Sequence, residues 1–281
     1  MIDIKTPNEI SIMAEGGRIL AEVLKEVLAK IKPGVSELEL DGLTEKLIGE
    51  KGAEPAFKKV KGYRHSICVS TNDVVVHGVP TNYRFKAGDV VGIDCGVYYK
   101  GFHTDCAQTV RVQSSKFNPS ASSGLDIRLS SVEAILSGVE RVKVQSSDEV
   151  DRFLETGKRA IDEAIKIARI GNRIGDISKT IQDIVEGSGY SVVRSLVGHG
   201  VGRTLHEEPE VPGFLATKIE NTPKLELGMT IAIEVIYNMG KKDVEYLNDD
   251  GWTIKTKDKS LSGLFERTIA ITKEGPLILT K

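Results

Sequence analysis

The 281-residue sequence has few cysteines, little charge imbalance and no long apolar run. Its three cysteines, Cys68, Cys95 and Cys106, form no CxxC pair and no evident disulfide framework, which is typical of a reducing cytoplasm. No stretch approaches the roughly 18 apolar residues that a membrane span requires. The N-terminus lacks the basic start and apolar core of a signal peptide. With a formal net charge of −2, the sequence predicts a cytoplasmic globular protein that binds neither nucleic acid nor membrane.

Two capping boxes mark the first helices that the sequence predicts. Thr6, Pro7 and Glu9 begin one helix, and Ser36 with Glu39 begins another. Two more helices are predicted at Asp148–Ala168 and Asp176–Glu186, from their apolar periodicity. Strands are predicted at 66–70, 73–78, 190–193, 229–237 and 265–272. The segment Val90–Tyr99 and the run that begins at Phe102 are predicted to form a hairpin closed by Lys100-Gly101.

The chain repeats one plan, because each half runs through two helices and then strands. Asp94 follows Gly88 by six residues, and Glu234 follows Gly228 by six residues, in similar apolar surroundings. This pattern indicates a diverged internal duplication. Two such halves around a pseudo-two-fold axis would place both acids in one central cleft.

A single catalytic domain over 1–281 is predicted, with one surface insertion at about 116–147. The tetrapeptide VQSS occurs at 112–115 and again at 144–147, and the residues between begin with a Ser-, Pro- and Asn-rich stretch. A chance repeat is one alternative, and a docking element for the ribosome or another partner is a second.

Acidic residues in apolar strands indicate a metal centre. In the predicted hairpin Asp105 lies opposite Gly96, with Asp94 diagonally next to it on the same face. Two such carboxylates are costly to bury without a cation. The alternative for this pair alone is that one faces solvent or accepts backbone N–H bonds.

Further residues favour the metal. His199 stands between glycines, His206 follows seven residues later, and Glu234 and Glu266 each lie within apolar strands. Four carboxylates and an imidazole suit Mn, Fe, Co or Zn, and so many acids favour two ions rather than one.

These residues lie in motifs that resemble the bacterial type I methionine aminopeptidases of family M24. The resemblance covers nearly the whole chain outside about 116–147. The matching motifs are ICVSTNDVVVHGVP, GDVVGIDCGVYYKGFHTDCAQTV, GHGVGRTLHEEPEVPGF, LELGMTIAIEV and DGWTIKTKDKSLSGLFERT. The resemblance implies an α+β pita-bread (creatinase/aminopeptidase) fold, in which two pseudo-symmetric halves form a central antiparallel sheet covered by helices.

The resemblance also implies roles for individual residues. Two divalent metal ions (Co, Mn, Fe or Zn) would be bound by Asp94, Asp105, His199, Glu234 and Glu266, with Asp105 and Glu266 bridging them. The catalytic residues would be His77, His206 and Glu234. The methionine pocket would be lined by Tyr63, Cys68, Trp252 and Phe265, with His77 and His206 contacting the substrate. A monovalent cation would be bound by Asn72, Val74 and Ser262.

The implied reaction is removal of the initiator methionine from nascent polypeptides whose second residue is small, by a water bound between the two metals. The resemblance further implies a cytoplasmic monomer that meets nascent N-termini, with association with the ribosome as an added expectation. The sequence departs from the family pattern at Arg267 (usually His), Leu264 (usually Gln) and Leu205 (commonly Phe), and no pocket cysteine precedes Tyr63.

Two other functions are compatible with such a fold. A proline-specific peptidase would carry a large extra N-terminal domain, whereas about 65 residues precede the first predicted strand here. A non-catalytic binding protein of the same fold would typically have lost metal ligands, and this sequence retains the full set.

Overall fold

The computed structural model describes residues 2–113, 147–247 and 250–281. The helices in these ranges are α1 (Pro7–Leu28), α2 (Glu37–Glu50), α3 (Ser147–Ile167) and α4 (Ile174–Gly187). The strands are β1 (Glu54–Pro55), β2 (Ile67–Thr71), β3 (Val74–Val76), β4 (Val90–Tyr99), β5 (Phe102–Arg111), β6 (Ser191–Val192), β7 (Val197–Gly200), β8 (Glu207–Pro212), β9 (Thr230–Asn238), β10 (Val244–Tyr246), β11 (Ile254–Thr256), β12 (Ser262–Thr272) and β13 (Gly275–Ile278). The predicted insertion lies outside the described residues except for Ser147, and it stays a prediction.

Both predicted capping boxes are confirmed. The Glu9 carboxylate accepts from the Thr6 backbone N–H at 2.8 Å, and the Thr6 hydroxyl accepts from the Glu9 N–H at 3.4 Å. The corresponding bonds between Ser36 and Glu39 measure 2.6 and 3.2 Å. Each box satisfies backbone donors that the first helical turn would otherwise leave unpaired.

The predicted hairpin is also confirmed. Tyr99 pairs with Phe102, so Lys100 and Gly101 form a two-residue turn. Both turn residues have positive φ, 46° and 92°, as a type I′ turn requires. This turn fixes the register that places Asp105 opposite Gly96.

The strands form antiparallel sheets. In one sheet β4 pairs with β5 on one side and with β2 and β1 on the other. In a second sheet the order is β13-β12-β9-β7-β8, and β6 also pairs with β9. A small third sheet joins β10, β11 and β3.

Matched hydrogen bonds confirm the predicted pseudo-symmetry. Gly88 and Gly228 both have positive φ, 94° and 89°. The Gly88 N–H donates to Val112 O at 2.9 Å, and the Gly228 N–H donates to Ile271 O at 2.9 Å. The same turn therefore leads into β4 in one half and into β9 in the other, which brings Asp94 and Glu234 to equivalent positions.

Two threonines join the halves where β5 meets β12. The Thr109 hydroxyl donates to Leu264 O at 2.8 Å and accepts from Leu264 N at 2.9 Å. The Thr268 hydroxyl bonds the backbone of Asp105 in the same way, at 2.8 and 2.9 Å. These buried reciprocal bonds hold the two central strands together at the level of the acidic residues.

The helices cover one side of the sheets and leave the other side to the cleft. Helix α1 packs on β4 and β5 and α2 on β1 and β2, whereas α3 packs on β9 and β12 and α4 on β6 and β8. At Gly157 α3 passes so close to β12 that an added Cβ would lie 2.3 Å from the Phe265 ring. None of the described helices is both long and apolar enough to cross a membrane.

The sequence did not predict β1, β7, β8, β10, β11 or β13. Most of these strands are short, and glycine and charged residues in β7 and β8 obscure the alternating apolar pattern. The predicted strand at 190–193 is shorter in the structure, where β6 covers two residues.

The first turn of α2 contains two glutamates whose pKa values are shifted in opposite directions. Glu37 is buried and accepts from Thr71 Oγ1 at 2.7 Å and from the Thr81 N–H at 3.0 Å. Burial raises the pKa of Glu37 despite these bonds. Hydrogen bonds from Ser36, chiefly from its backbone N–H, lower the pKa of Glu39.

Glu37→Gln and Glu39→Gln should therefore change the pH dependence of stability in opposite directions. A raised pKa in the folded state favours folding when Glu37 is protonated, so stability is lost as pH rises. Relative to the parent, Glu37→Gln should gain unfolding free energy as pH rises from about 4 to 7.

Glu39→Gln is the matched control, because its parent carboxylate stabilises the fold only when it is ionised. The advantage of the parent over this variant should exist at pH 7 and shrink as pH falls below roughly 4. Urea titrations of the three proteins at several pH values measure both differences. A parallel pH trend for the two variants would contradict the assignment.

Candidate metal centre and substrate cleft

Asp94, Asp105, Glu234 and Glu266 lie at the centre of the two main sheets, and His199 lies beside them. Glu266 pairs directly with Glu234 across β12 and β9. His199 lies in β7, opposite Ala232 of β9. All five residues line one cleft of about 550 Å³. The structure thus brings together the five residues that were predicted from the sequence to bind metal.

The distances are short enough for shared coordination. Ligand atoms of Asp105, His199 and Glu266 all lie within 4.8 Å of one another. Nε2 of His199 lies 3.6 Å from Oε1 of Glu234. Nδ1 of His199 is 2.8 Å from Gly200 O, and a donor role there leaves the Nε2 lone pair directed at the carboxylates. Proteins usually orient a metal-binding imidazole in this way, by a hydrogen bond from the ring nitrogen that does not bind the metal.

Electrostatics disfavour this arrangement without a cation. Burial raises the pKa of Asp94 to about 7. Burial, followed by the neighbouring carboxylates, raises the pKa values of Asp105, Glu234 and Glu266 well above their ordinary range. Within the described residues, Oδ1 of Asp94 and Oε1 of Glu266 are buried without a hydrogen-bond partner. Hard divalent ions would supply the missing partners, so the donor set fits the metals that the family implies.

The imidazoles of the cleft are held in their neutral form. Burial, together with the nearby His206, lowers the pKa of His199 to about 4. Burial and then the His206 charge also lower the pKa of His77. His77 follows β3 with φ +55°, and the His206 ring lies 4.4 Å from the His199 ring. Both predicted substrate-contacting histidines therefore line the cleft beside the acids.

One end of the cleft is apolar. The Tyr63 and Trp252 rings meet edge to face at 5.1 Å, and the Tyr63 hydroxyl donates to Ile67 O at 2.8 Å. Cys68 and Leu205 are buried beside them. The sequence predicted Tyr63, Cys68 and Trp252 for this pocket, and they line the cleft. It did not identify other apolar residues that line the cleft, among them Phe57, Val60, Leu196 and Ile236.

The prediction that Phe265 lines the pocket is wrong. Successive residues of a strand face opposite sides of the sheet, so Phe265 points away from the side that carries Glu266. Its ring packs in the core under α3, with Phe153 and Tyr237. The motif match alone did not distinguish the two faces of β12.

Asn72 and Ser262, which were predicted to bind a monovalent cation, lie next to each other. The Ser262 N–H donates to Asn72 O at 2.9 Å. Asn72 has φ +58°, and its side chain bonds Asp89 and Val90. Val74, the third predicted residue, begins β3. Cation binding at these residues stays a prediction.

The departures from the family pattern have identifiable partners. The Arg267 guanidinium donates to Glu266 O at 2.7 Å, to Ala107 O at 3.1 Å and to Gln108 Oε1 at 3.0 Å. It thereby connects β12 to β5. Leu264 packs with Ala107 and Ile236 in a small apolar cluster, and Leu205 lines the pocket.

Comparison with known proteins agrees with this geometry. The model of metallopeptidase family M24 matches residues 11–273. A methionine aminopeptidase of Clostridium perfringens is 41% identical over 280 residues, covering 100% of this chain and 99% of the relative. Methionine aminopeptidase 1 of Bacillus subtilis is 38% identical over 281 residues, with both chains fully covered.

Solved structures show the same relationship. The crystal structure of the Thermotoga maritima methionine aminopeptidase superposes with a TM-score of 0.86 at 35% identity, covering 100% of both chains. The prolidase of Pyrococcus horikoshii matches at 23% identity and a TM-score of 0.71, over 63% of that longer chain, which shows a common fold alone. This chain belongs to metallopeptidase family M24 and, within it, to the methionine aminopeptidases.

Proposed function

We propose that this chain hydrolyses the first peptide bond of new polypeptides and releases methionine when the second residue is small. The observation that carries the proposal is the convergence of Asp105, His199 and Glu266, whose ligand atoms lie within 4.8 Å of one another in the cleft. Relatives that share 36–41% identity over the whole chain bear the name methionine aminopeptidase.

Asp94, Asp105, His199, Glu234 and Glu266 would hold two divalent ions, with Asp105 and Glu266 shared between them. Four carboxylates exceed the charge of one such ion, which supports a pair. Ions held there would polarise the scissile carbonyl, fix the free α-amine and lower the pKa of a water molecule. The oxygen-rich donor set suits Mn, Fe, Co or Zn.

Glu234 is the proposed proton carrier of the reaction. Its carboxylate lines the cleft beside the other four proposed ligands, where it would accept a proton from the attacking water and pass it to the leaving amine. A neutral His206 would donate an N–H to the carbonyl oxygen as negative charge develops there. His77 would hydrogen-bond the nitrogen of the scissile amide.

The apolar end of the cleft would bind the methionine side chain. Tyr63 and Trp252 provide aromatic walls, and Leu205 and Cys68 pack in the same apolar cluster. An unbranched thioether fits such a pocket. His77 and His206 also line the cleft, and we expect them to limit the second residue of the substrate to glycine, alanine or serine.

The proposed setting is the cytoplasm, where the enzyme would act as a monomer on N-termini that emerge from the ribosome. The absence of paired cysteines in the sequence supports a reducing compartment.

Methionine release should depend on the second residue of the substrate. With added Mn²⁺ or Co²⁺, the purified protein should cleave Met-Ala-Ser at least about 100-fold faster than Met-Phe-Ser, because a bulky second side chain would collide with the cleft histidines. Chromatographic assay of free methionine measures both rates. Preferential cleavage of Ala-Pro would instead favour a proline-specific peptidase, and no cleavage of any peptide would favour a binding protein.

Divalent ions should stabilise the parent protein and not Glu266→Gln. An ion at 100 times its dissociation constant adds about 2.7 kcal/mol of stability, which corresponds to a rise in Tm of roughly 5–10 °C. Differential scanning fluorimetry of chelated protein, with and without Mn²⁺, measures this shift.

Glu210→Gln provides a matched control for Glu266→Gln. Glu210 also lines the cleft, but it is exposed and is not one of the five proposed ligands. This variant should retain the full shift in Tm. An unchanged shift in Glu266→Gln would contradict the proposed ligand set.

A further inference from the structure

Lys5 is a buried lysine that precedes the first helix. Its side chain is 2% exposed and its ammonium contacts the carboxylate of Glu207, whose side chain is 11% exposed. A second contact, 3.2 Å long, joins the ammonium to Asp3 Oδ2. Burying a lysine is unfavourable unless its charge is paired. The pair joins residues separated by 202 positions, so the N-terminal segment is tied to the segment that carries His206.

The backbone of Lys5 is fixed as well. Its N–H donates to Gly228 O at 2.8 Å, just before β9 begins. Gly202 packs directly on the lysine, since an added Cβ there would lie 2.3 Å from Cε. Lys5 therefore lies between the start of β9, which carries Glu234, and the loop over residues 201–206, which carries His206.

Glu207 connects Lys5 to this loop. Its Oε1 accepts from the Thr204 N–H at 3.1 Å, while the other oxygen contacts Lys5. The Thr204 hydroxyl donates to His206 O at 3.0 Å. On the opposite side of the loop, the His103 N–H donates to Gly202 O at 2.7 Å. A chain of contacts thus runs from the Lys5 ammonium through Glu207 and Thr204 to the backbone of His206.

We propose that Lys5 and Glu207 are positioning residues that hold His206 in place over the metal centre. This inference rests on the proposed function, in which His206 contacts the scissile bond. Removal of the ammonium leaves the Glu207 charge without its partner, in a cleft that already contains many acids. The carboxylate would turn away from Thr204, and the loop that carries His206 would lose the hydrogen bond that connects it to Glu207. A displacement near 1 Å can reduce a rate by roughly 100-fold.

Lys5→Met tests the pair, because methionine retains an apolar side chain of similar length without the charge. In Zn²⁺-loaded protein, Lys5→Met and Glu207→Gln should each lower kcat for Met-Ala-Ser about tenfold or more, with KM changed less than about twofold. Lys5→Arg should restore most of the activity. Lys51→Met is the matched control, since Lys51 pairs with Glu22 on the surface and should leave kcat unchanged.

The His206→Ala background separates positioning from general stability. If Lys5 acts through His206, then Lys5→Met should lower kcat less than about twofold in that background. An equal loss of kcat in both backgrounds would overturn the proposal, because it would indicate a structural effect that does not pass through His206. An unchanged kcat in both Lys5→Met and Glu207→Gln would also overturn it.

A second readout does not require activity. The chain has five histidines, so the ring signals of Zn²⁺-loaded protein can be resolved by ¹H–¹³C NMR and His206 assigned with His206→Ala. Lys5→Met should shift or broaden the His206 signal and leave that of His65, which contacts Asp41, unchanged. An unmoved His206 signal would overturn the proposal.

A parent protein that releases no methionine would contradict the proposed function, while this spectrum would still decide the inference about Lys5. Glu207→Gln provides the same spectrum if Lys5→Met does not fold.

Discussion

Mutual repulsion among four carboxylates in one cleft governs the centre of this molecule. Asp94, Asp105, Glu234 and Glu266 face one cleft, and no lysine or arginine is present among the described residues that line it. Like charges so close together in a poorly solvated space cannot all be ionised without compensation. Divalent cations provide that compensation, and the same cations supply the chemistry of the proposed reaction. The stability of the centre and its function therefore depend on the same ions.

The internal duplication explains how the acids meet, and its divergence explains why the centre is not symmetric. Asp94 and Glu234 occupy equivalent positions after equivalent glycine turns. Thr109 bonds Leu264 and Thr268 bonds Asp105, so Thr109 is equivalent to Thr268 and Asp105 is equivalent to Leu264. Glu266 is paired with Glu234, and its equivalent in the other half is Ala107, which is paired with Asp94. The first half therefore supplies Asp105 and the second half Glu266 from positions that are not equivalent. His199 comes from the second half alone.

The sequence predicted the features that depend on local patterns. Two-residue turn geometry placed Asp105 opposite Gly96, and capping boxes placed the starts of α1 and α2. Strand β7 was not predicted because its four residues, Val-Gly-His-Gly, have little strand propensity and gain their conformation from pairing with β9. The error at Phe265 has a similar origin, since the motif identified the strand but not the face. The contact of Lys5 with Glu207 depends on the complete tertiary fold, and no local pattern indicates it.

If the five converging side chains bind a pair of divalent ions, both ions should be visible in crystals grown with Mn²⁺ and measured at the manganese absorption edge. Two anomalous peaks are expected roughly 3.5–4 Å apart, between Asp105 and Glu266, with His199 within ligand distance of one of them. A cleft without anomalous peaks at saturating Mn²⁺, or peaks bound by other residues, would contradict it.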